Sequence, residues 1–181
     1  GLTGCLTFKN MKFNNVKIKG DKGACEDTIN LINSIGEINE IEITNAFSDA
    51  LDLDFSNLDI DNVMISKSNN DCADFSFGNY NIEKFNLNNC GDKALSVGER
   101  SVLNTNEAII SNSNIGIASK DSSIINVQET NIKNTKECLA AYNKKQEFSG
   151  SYLKIKRSKC INYYKMIDKD KFSHIEIIEE I

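Results

Sequence analysis

With 181 residues, 40% of them hydrophobic, the chain is long enough to bury one continuous core and too apolar to be disordered. A formal net charge of −5, a pI of about 5.0 and only two arginines, Arg100 and Arg157, argue against nucleic acid, which is held by clustered Lys and Arg. No apolar run approaches the roughly 20 residues of a membrane-spanning helix, and Gly1-Leu2-Thr3 carries no signal-peptide pattern.

Proline is absent, which permits uninterrupted β ladders, and the 25 asparagines suit left-handed turns and stacked amide ladders. The chain opens inside patterned sequence, without Met, so a fragment of a longer protein is expected, with Gly1 to Lys19 as an incomplete first coil. From there a repeat takes over. Segments beginning at residues 27, 49, 71, 93, 115, 137 and 159 keep a constant spacing of 22 and read DTINLI, DALDLD, DCADFS, KALSVG, IGIASK, ECLAAY and KCINYY. The second column is mostly small: Thr28, Ala50, Cys72, Ala94, Gly116, Cys138 and Cys160. The third is aliphatic: Ile29, Leu51, Ala73, Leu95, Ile117, Leu139 and Ile161. The fifth is mostly apolar, with Leu31, Leu53, Phe75 and Val97. Side chains alternate with period two, so the third and fifth columns share a core face and the fourth points away.

A second strand recurs at Ile41 and Ile43, Val63 and Ile65, Phe85 and Leu87, then more loosely at Ile109 and Ile132. A third, short element appears at Ile38, Ile60 and Ile82, and turns such as Ser68-Asn69-Asn70 join them. One coil cannot bury its apolar face, but stacked coils can. These patterns predict an all-β fold, a right-handed, single-stranded parallel β-helix of about seven coils of 22 residues each. At ~4.8 Å per coil that is a rod roughly 34 Å long. Leucine-rich and hexapeptide repeats are set aside because their fixed intervals are missing. The expected boundaries are 1–163 for the β-helix and 164–181 for a capping segment, in which Ile175, Ile177 and Ile178 form a last strand or helix over the open end.

Four stretches of the repeat also resemble a known family. Ser48 to Asn57 (SDALDLDFSN), Gly91 to Glu99 (GDKALSVGE), Ile117 to Asp121 (IASKD) and Leu139 to Lys145 (LAAYNKK) look like the β-helical region of bacterial CotH-like, spore-coat-kinase-related surface proteins. In that family such a helix follows a kinase-like domain toward the C-terminus. The resemblance therefore implies a cell-envelope or extracellular setting, with any kinase chemistry outside this chain. No glycine-rich phosphate loop of useful form is present.

The outward columns carry the chemistry. Asp52, Asp54 and Asp74 gather on neighbouring coils beside Asn30 and Ser76, and Asp27, Asp49 and Asp71 form a second ladder ending at Lys93. Like charges stacked at strand spacing repel, and nothing in a core demands them. Two readings stay open: acidic residues that serve turns and keep a sheet soluble, or a groove for glycan. No cofactor is required, although Asp52, Asp54 and Asp74 are the oxygen-rich kind of set that takes Ca²⁺. The favoured function is a non-catalytic scaffold or binding module that presents this acidic, Asn-rich face to a polysaccharide or an adjacent domain. Asp49, Asp54, Asp71, Lys120, Lys144 and Lys145 are its candidate contacts. The alternative is a polysaccharide hydrolase using Asp52 and Asp74 as acid and base, or a lyase using Lys93 or Lys120 to take a proton. His174, the lone histidine, falls in the aperiodic tail and reads as a surface residue.

Six cysteines, Cys5, Cys25, Cys72, Cys90, Cys138 and Cys160, match no zinc spacing. Three lie in the small column, which favours buried free thiols. Cys138 and Cys160, one coil apart in that column, are also compatible with a disulfide.

Overall fold

The computed structural model describes residues 2–181. It is all strand and turn, a β-solenoid of about eight turns whose coils repeat at about 22 residues and pair in parallel. Each coil opens on a first strand: β1 (Gly4–Lys9), β3 (Asp27–Ile32), β5 (Asp49–Asp54) and β7 (Ala73–Ser76). The rest of each early coil is one longer, bent strand: β2 (Lys12–Asp21), β4 (Ile35–Ala46) and β6 (Asn57–Ser68). From β8 (Asn79–Gly98) through β9 (Val102–Lys120), β10 (Ile124–Tyr142) and β11 (Tyr152–Lys169), a strand runs on into the first strand of the next coil. β12 (His174–Glu180) ends the stack.

The columns lie in register. Ile29 pairs with Leu51, Leu51 with Ala73, Ala73 with Leu95, Leu95 with Ile117 and Ile117 with Leu139, all fully buried. Ile41, Val63 and Phe85 stack on the opposite wall of the same core. Turns recur because particular residues take the left-handed conformation. After the first strand these are Asn10, Asn33, Phe55, Phe77, Glu99 and Asp121, and at the bend within the long strand Asn45, Lys67, Asn89, Asn112 and Asn134. Asparagine tolerates that region because its short amide bonds locally. Here the amides also bond down the stack: Asn134 donates to Asn112 at 3.0 Å and Asn162 to Asn134 at 3.1 Å. A buried serine marks the corner behind the first turn. Ser56 Oγ accepts the Ser34 N–H at 3.0 Å and donates to the Asp54 carbonyl at 2.8 Å, satisfying backbone groups that strand pairing leaves open.

The ends of the rod depart from strict repetition. β1 pairs with β3 through Leu6–Ile29 and Phe8–Leu31, so the N-terminal segment already contributes a first strand to the stack. At the other end the coil after β10 spans 28 residues, because Tyr152 pairs with Ile124. The row predicted to begin at Lys159 therefore begins at Lys165: Leu139 stacks on Ile167, while Ile161 and Tyr163 lie over Lys133 and Thr135 and remain exposed. The boundary drawn between 163 and 164 falls inside β11, and Ile175 and Ile177 continue the stack on Leu153 and Ile155.

The expectation of free thiols is corrected. All six are paired, Cys5–Cys25, Cys72–Cys90 and Cys138–Cys160, with Cα separations of 5.3, 5.4 and 6.4 Å. Two of these bonds join different rows rather than neighbours in one column. Cys90 stands in the row of Ser68 and Ser113, and Cys160 stacks on Ile132, whereas Cys72 and Cys138 belong to the first-strand row. Column-by-column reading has no access to a contact made around the corner of a coil.

Candidate functional site

The first strands carry an open, polar cleft along their outer side. Its lining includes Glu26, Asp27, Asp49, Asp52, Asp54 and Asp74 from the lower coils. Ser76, Glu99, Lys120, Lys144 and Lys145 come from the upper ones. Strand pairing assembles the floor: Asn30 lies beside Asp52, Asp52 beside Asp74, and Asp74 beside Ser96. Asp54 and Ser76 form the adjacent row, which continues to Gly98. Seven of the nine side chains singled out from the sequence, Asp49, Asp52, Asp54, Asp74, Lys120, Lys144 and Lys145, thus share one surface, while Asp71 and Lys93 stand just outside it.

The electrostatics differ from one end to the other. At the lower end, Asn30 Nδ2 donates to Asp52 Oδ2 at 2.8 Å, and Asp52 is hydrogen-bonded to Asp54. Burial first, and then the charges of Asp54, Asp27 and Asp74, push Asp52 up to about 9. Burial also raises Asp54, and it raises Asp49 to about 6. No Lys, Arg or His among the described residues forms an ion pair with Asp27, Asp49, Asp52 or Asp54. At the upper end, Lys120 Nζ sits 3.4 Å from Asp74 Oδ1. Burial works against ionised Glu99, yet hydrogen bonds from Lys145 and Ser76 prevail and hold it below the usual carboxylate range. The cleft therefore holds in one lining a carboxyl group whose affinity for a proton is raised and another whose affinity is lowered.

Several predicted roles are narrowed by this geometry. Asp49 Oδ1 accepts the Asp71 N–H at 2.8 Å, and Asp71 Oδ1 accepts the Lys93 N–H at 3.0 Å, so this ladder caps the backbone of the coil above. Lys93 is held by neighbouring carboxylates. Its Nζ is buried between Asp71, at 3.1 Å, and Asp92; burial lowers its affinity for a proton, but the two carboxylates outweigh that and keep it charged. For calcium, among the described residues no group of three or more His, Cys, Asp or Glu side chains is arranged to hold a metal ion. Lys144 and Lys145 ride on a loop absent from other coils, held down where Asp121 Oδ1 accepts their backbone N–H groups at 2.6 and 2.8 Å. His174 stacks against Tyr152 on the exposed side of the last strand.

Glu99 belongs to no column, because it occupies the turn beyond the sixth position, and the exposed rings of Phe55 and Phe77 occupy the same turn of earlier coils. A second groove, on the next face, is lined by Asp59, Asn81, Asn104 and Asn126. Its amides are spent on each other: Asn81 donates to Asp59 at 2.7 Å, Asn104 to Asn81 at 3.0 Å and Asn126 to Asn104 at 3.0 Å. That ladder serves the fold.

Fold and cleft define a parallel β-solenoid with one polarised, carboxylate-rich groove along its first face. Comparison with known protein families, curated proteins and solved structures finds no match to this chain. Among the described residues no helix is long and apolar enough to cross a membrane.

Proposed function

We propose that the chain is a β-helical binding module of a cell-envelope or extracellular protein, and that its acidic cleft takes a polysaccharide with neutral sugar rings. The observation that carries this reading is the gathering of Asp49, Asp52, Asp54, Asp74 and Glu99 on one open surface, with oxygens that accept from sugar hydroxyls. Carboxylates outnumber the three lysines there, so a uronic-acid polymer would be repelled where a neutral one would not. Three disulfides support an oxidising compartment, where such bonds form and persist. The four stretches that resemble CotH-like proteins supply Asp49, Asp52, Asp54, Glu99, Lys120, Lys144 and Lys145 to the cleft, in keeping with a module attached to a larger surface protein.

A second reading is favoured by one specific feature. Asp52 is held protonated and Glu99 ionised in the same groove, the division of labour a glycoside hydrolase needs between general acid and base. Binding and product formation separate the two. Isothermal titration against β-1,4-linked hexasaccharides of glucose, mannose, galactose and N-acetylglucosamine, and against a uronic-acid hexasaccharide, should show binding of a neutral member. Asp54→Asn and Asp74→Asn should each weaken it by about tenfold or more, equivalent to about 1.4 kcal/mol. Chromatography of the same mixtures after long incubation should show intact sugar for a module and shortened sugar for a hydrolase. Absence of binding to every member would refute the glycan reading.

A further inference from the structure

We infer that Phe55 and Phe77 form an aromatic platform on which the apolar face of a sugar ring rests while its hydroxyls reach the carboxylates of the cleft; the inference rests on the glycan reading above and adds the ring contact that would fix the polymer's position.

The two rings stack with centroids 4.7 Å apart and planes within 2°. Phe148 follows at 6.1 Å from Phe77, and the Arg100 guanidinium lies 5.6 Å from the Phe148 ring. On the opposite side the coil below Phe55 offers Asn33, an exposed amide, so the stack ends on a ring with no aromatic partner. Phe55 is 53% and Phe77 41% exposed. Neither ring helps fill the core.

Their backbone makes the placement more telling. Phe55 and Phe77 have φ of 52° and 51°, in the left-handed region that a bulky residue rarely enters. Asn10 and Asn33 occupy the same turn in the first two coils, with φ of 57° and 48°, at little cost. The fold thus has a comfortable residue for this position and uses a strained, exposed, apolar one only where the turn borders the acidic groove. Phe55 follows Asp54 and Phe77 follows Ser76, and both of those polar residues line the cleft. An apolar surface beside a row of hydrogen-bond acceptors matches a hexopyranose, which is apolar on its C–H face and polar around its rim.

The variant Phe55→Asn with Phe77→Asn tests this, because Asn suits the turn and lacks the ring. With whichever hexasaccharide of the panel binds the parent chain, affinity should fall at least about tenfold while Tm stays level or rises through relief of the strained turns. Unchanged affinity overturns the inference, whatever happens to Tm. If affinity and Tm fall together, Phe55→Tyr with Phe77→Tyr decides: binding retained with the ring restored supports the platform, and binding lost overturns it. Failure of the parent chain to bind any member sinks the glycan reading itself. Binding that responds to Asp54→Asn but not to the ring variants sinks only the platform.

Discussion

Replacing Asp52 by Asn probes the acidic floor most sharply. An aspartate in an unfolded chain titrates near ~3.9, whereas burial and neighbouring carboxylates push Asp52 up to about 9 in the fold. Between those values the native state holds one proton more than the unfolded state. The contribution of Asp52 to stability is thus fully present below about pH 4 and is lost as pH rises toward its folded value. One proton is worth about 1.36 kcal/mol per pH unit, so going from about pH 5 to about pH 8 removes about 4 kcal/mol through this residue. Asparagine keeps a polar head beside Asn30 and cannot ionise. Urea unfolding with disulfides intact, followed for both proteins across that range, should show Asp52→Asn gaining on the parent by about 1.4 kcal/mol per pH unit. A difference independent of pH would mean that Asp52 is ionised in the fold, and would remove both the burial argument and the acid assigned to the hydrolase reading. Asp54→Asn should end that decline at a lower pH, because its charge is among the causes of the Asp52 shift.

Other perturbations address the scaffold. Cys72→Ser with Cys90→Ser opens a bond between residues 18 apart and should cost about 3 kcal/mol, read as a lower urea midpoint. In the parent chain iodoacetamide should label no cysteine until a reductant is added, since none is free. Gly78→Ala should destabilise by about 1–3 kcal/mol through overpacking, because an added Cβ would come within 2.3 Å of the Ser56 carbonyl oxygen and the Tyr80 hydroxyl. Leu51→Ala, at a fully buried position between Ile29 and Ala73, should cost about 2–5 kcal/mol by the same assay.

The solenoid was legible because every coil repeats one demand. A side chain in the third column meets its own kind above and below, so Ile29, Leu51 and Leu95 announce the stack without any long-range information. The outward rows were legible for the same reason, and they brought Asp52, Asp54 and Asp74 to one surface. What escaped was whatever departs from strict repetition. The loop after Tyr142 lengthens one coil to 28 residues, which moves the last row from the predicted start at Lys159 to Lys165. The bonds Cys72–Cys90 and Cys138–Cys160 cross between rows, and spacing along a column says nothing about which rows meet at a corner. Phe55 and Phe77 did leave a signal, phenylalanine at a turn position that Asn10 and Asn33 fill elsewhere, but its meaning depends on φ and exposure. The protonation contrast between Asp52 and Glu99 depends on burial and on Lys145, which reaches the groove only because the inserted loop folds back onto Asp121.

Carboxyl carbon chemical shifts, recorded by NMR while a neutral hexasaccharide is titrated into the protein, would follow each acidic group of the first face directly. Movement concentrated at Asp49, Asp52, Asp54, Asp74 and Glu99, with Asp59 and Asp61 of the neighbouring face still, is the predicted pattern. Shifts confined to Asp59 and Asp61, or none anywhere at saturating sugar, would contradict the assignment of this groove as the place where the molecule meets its ligand.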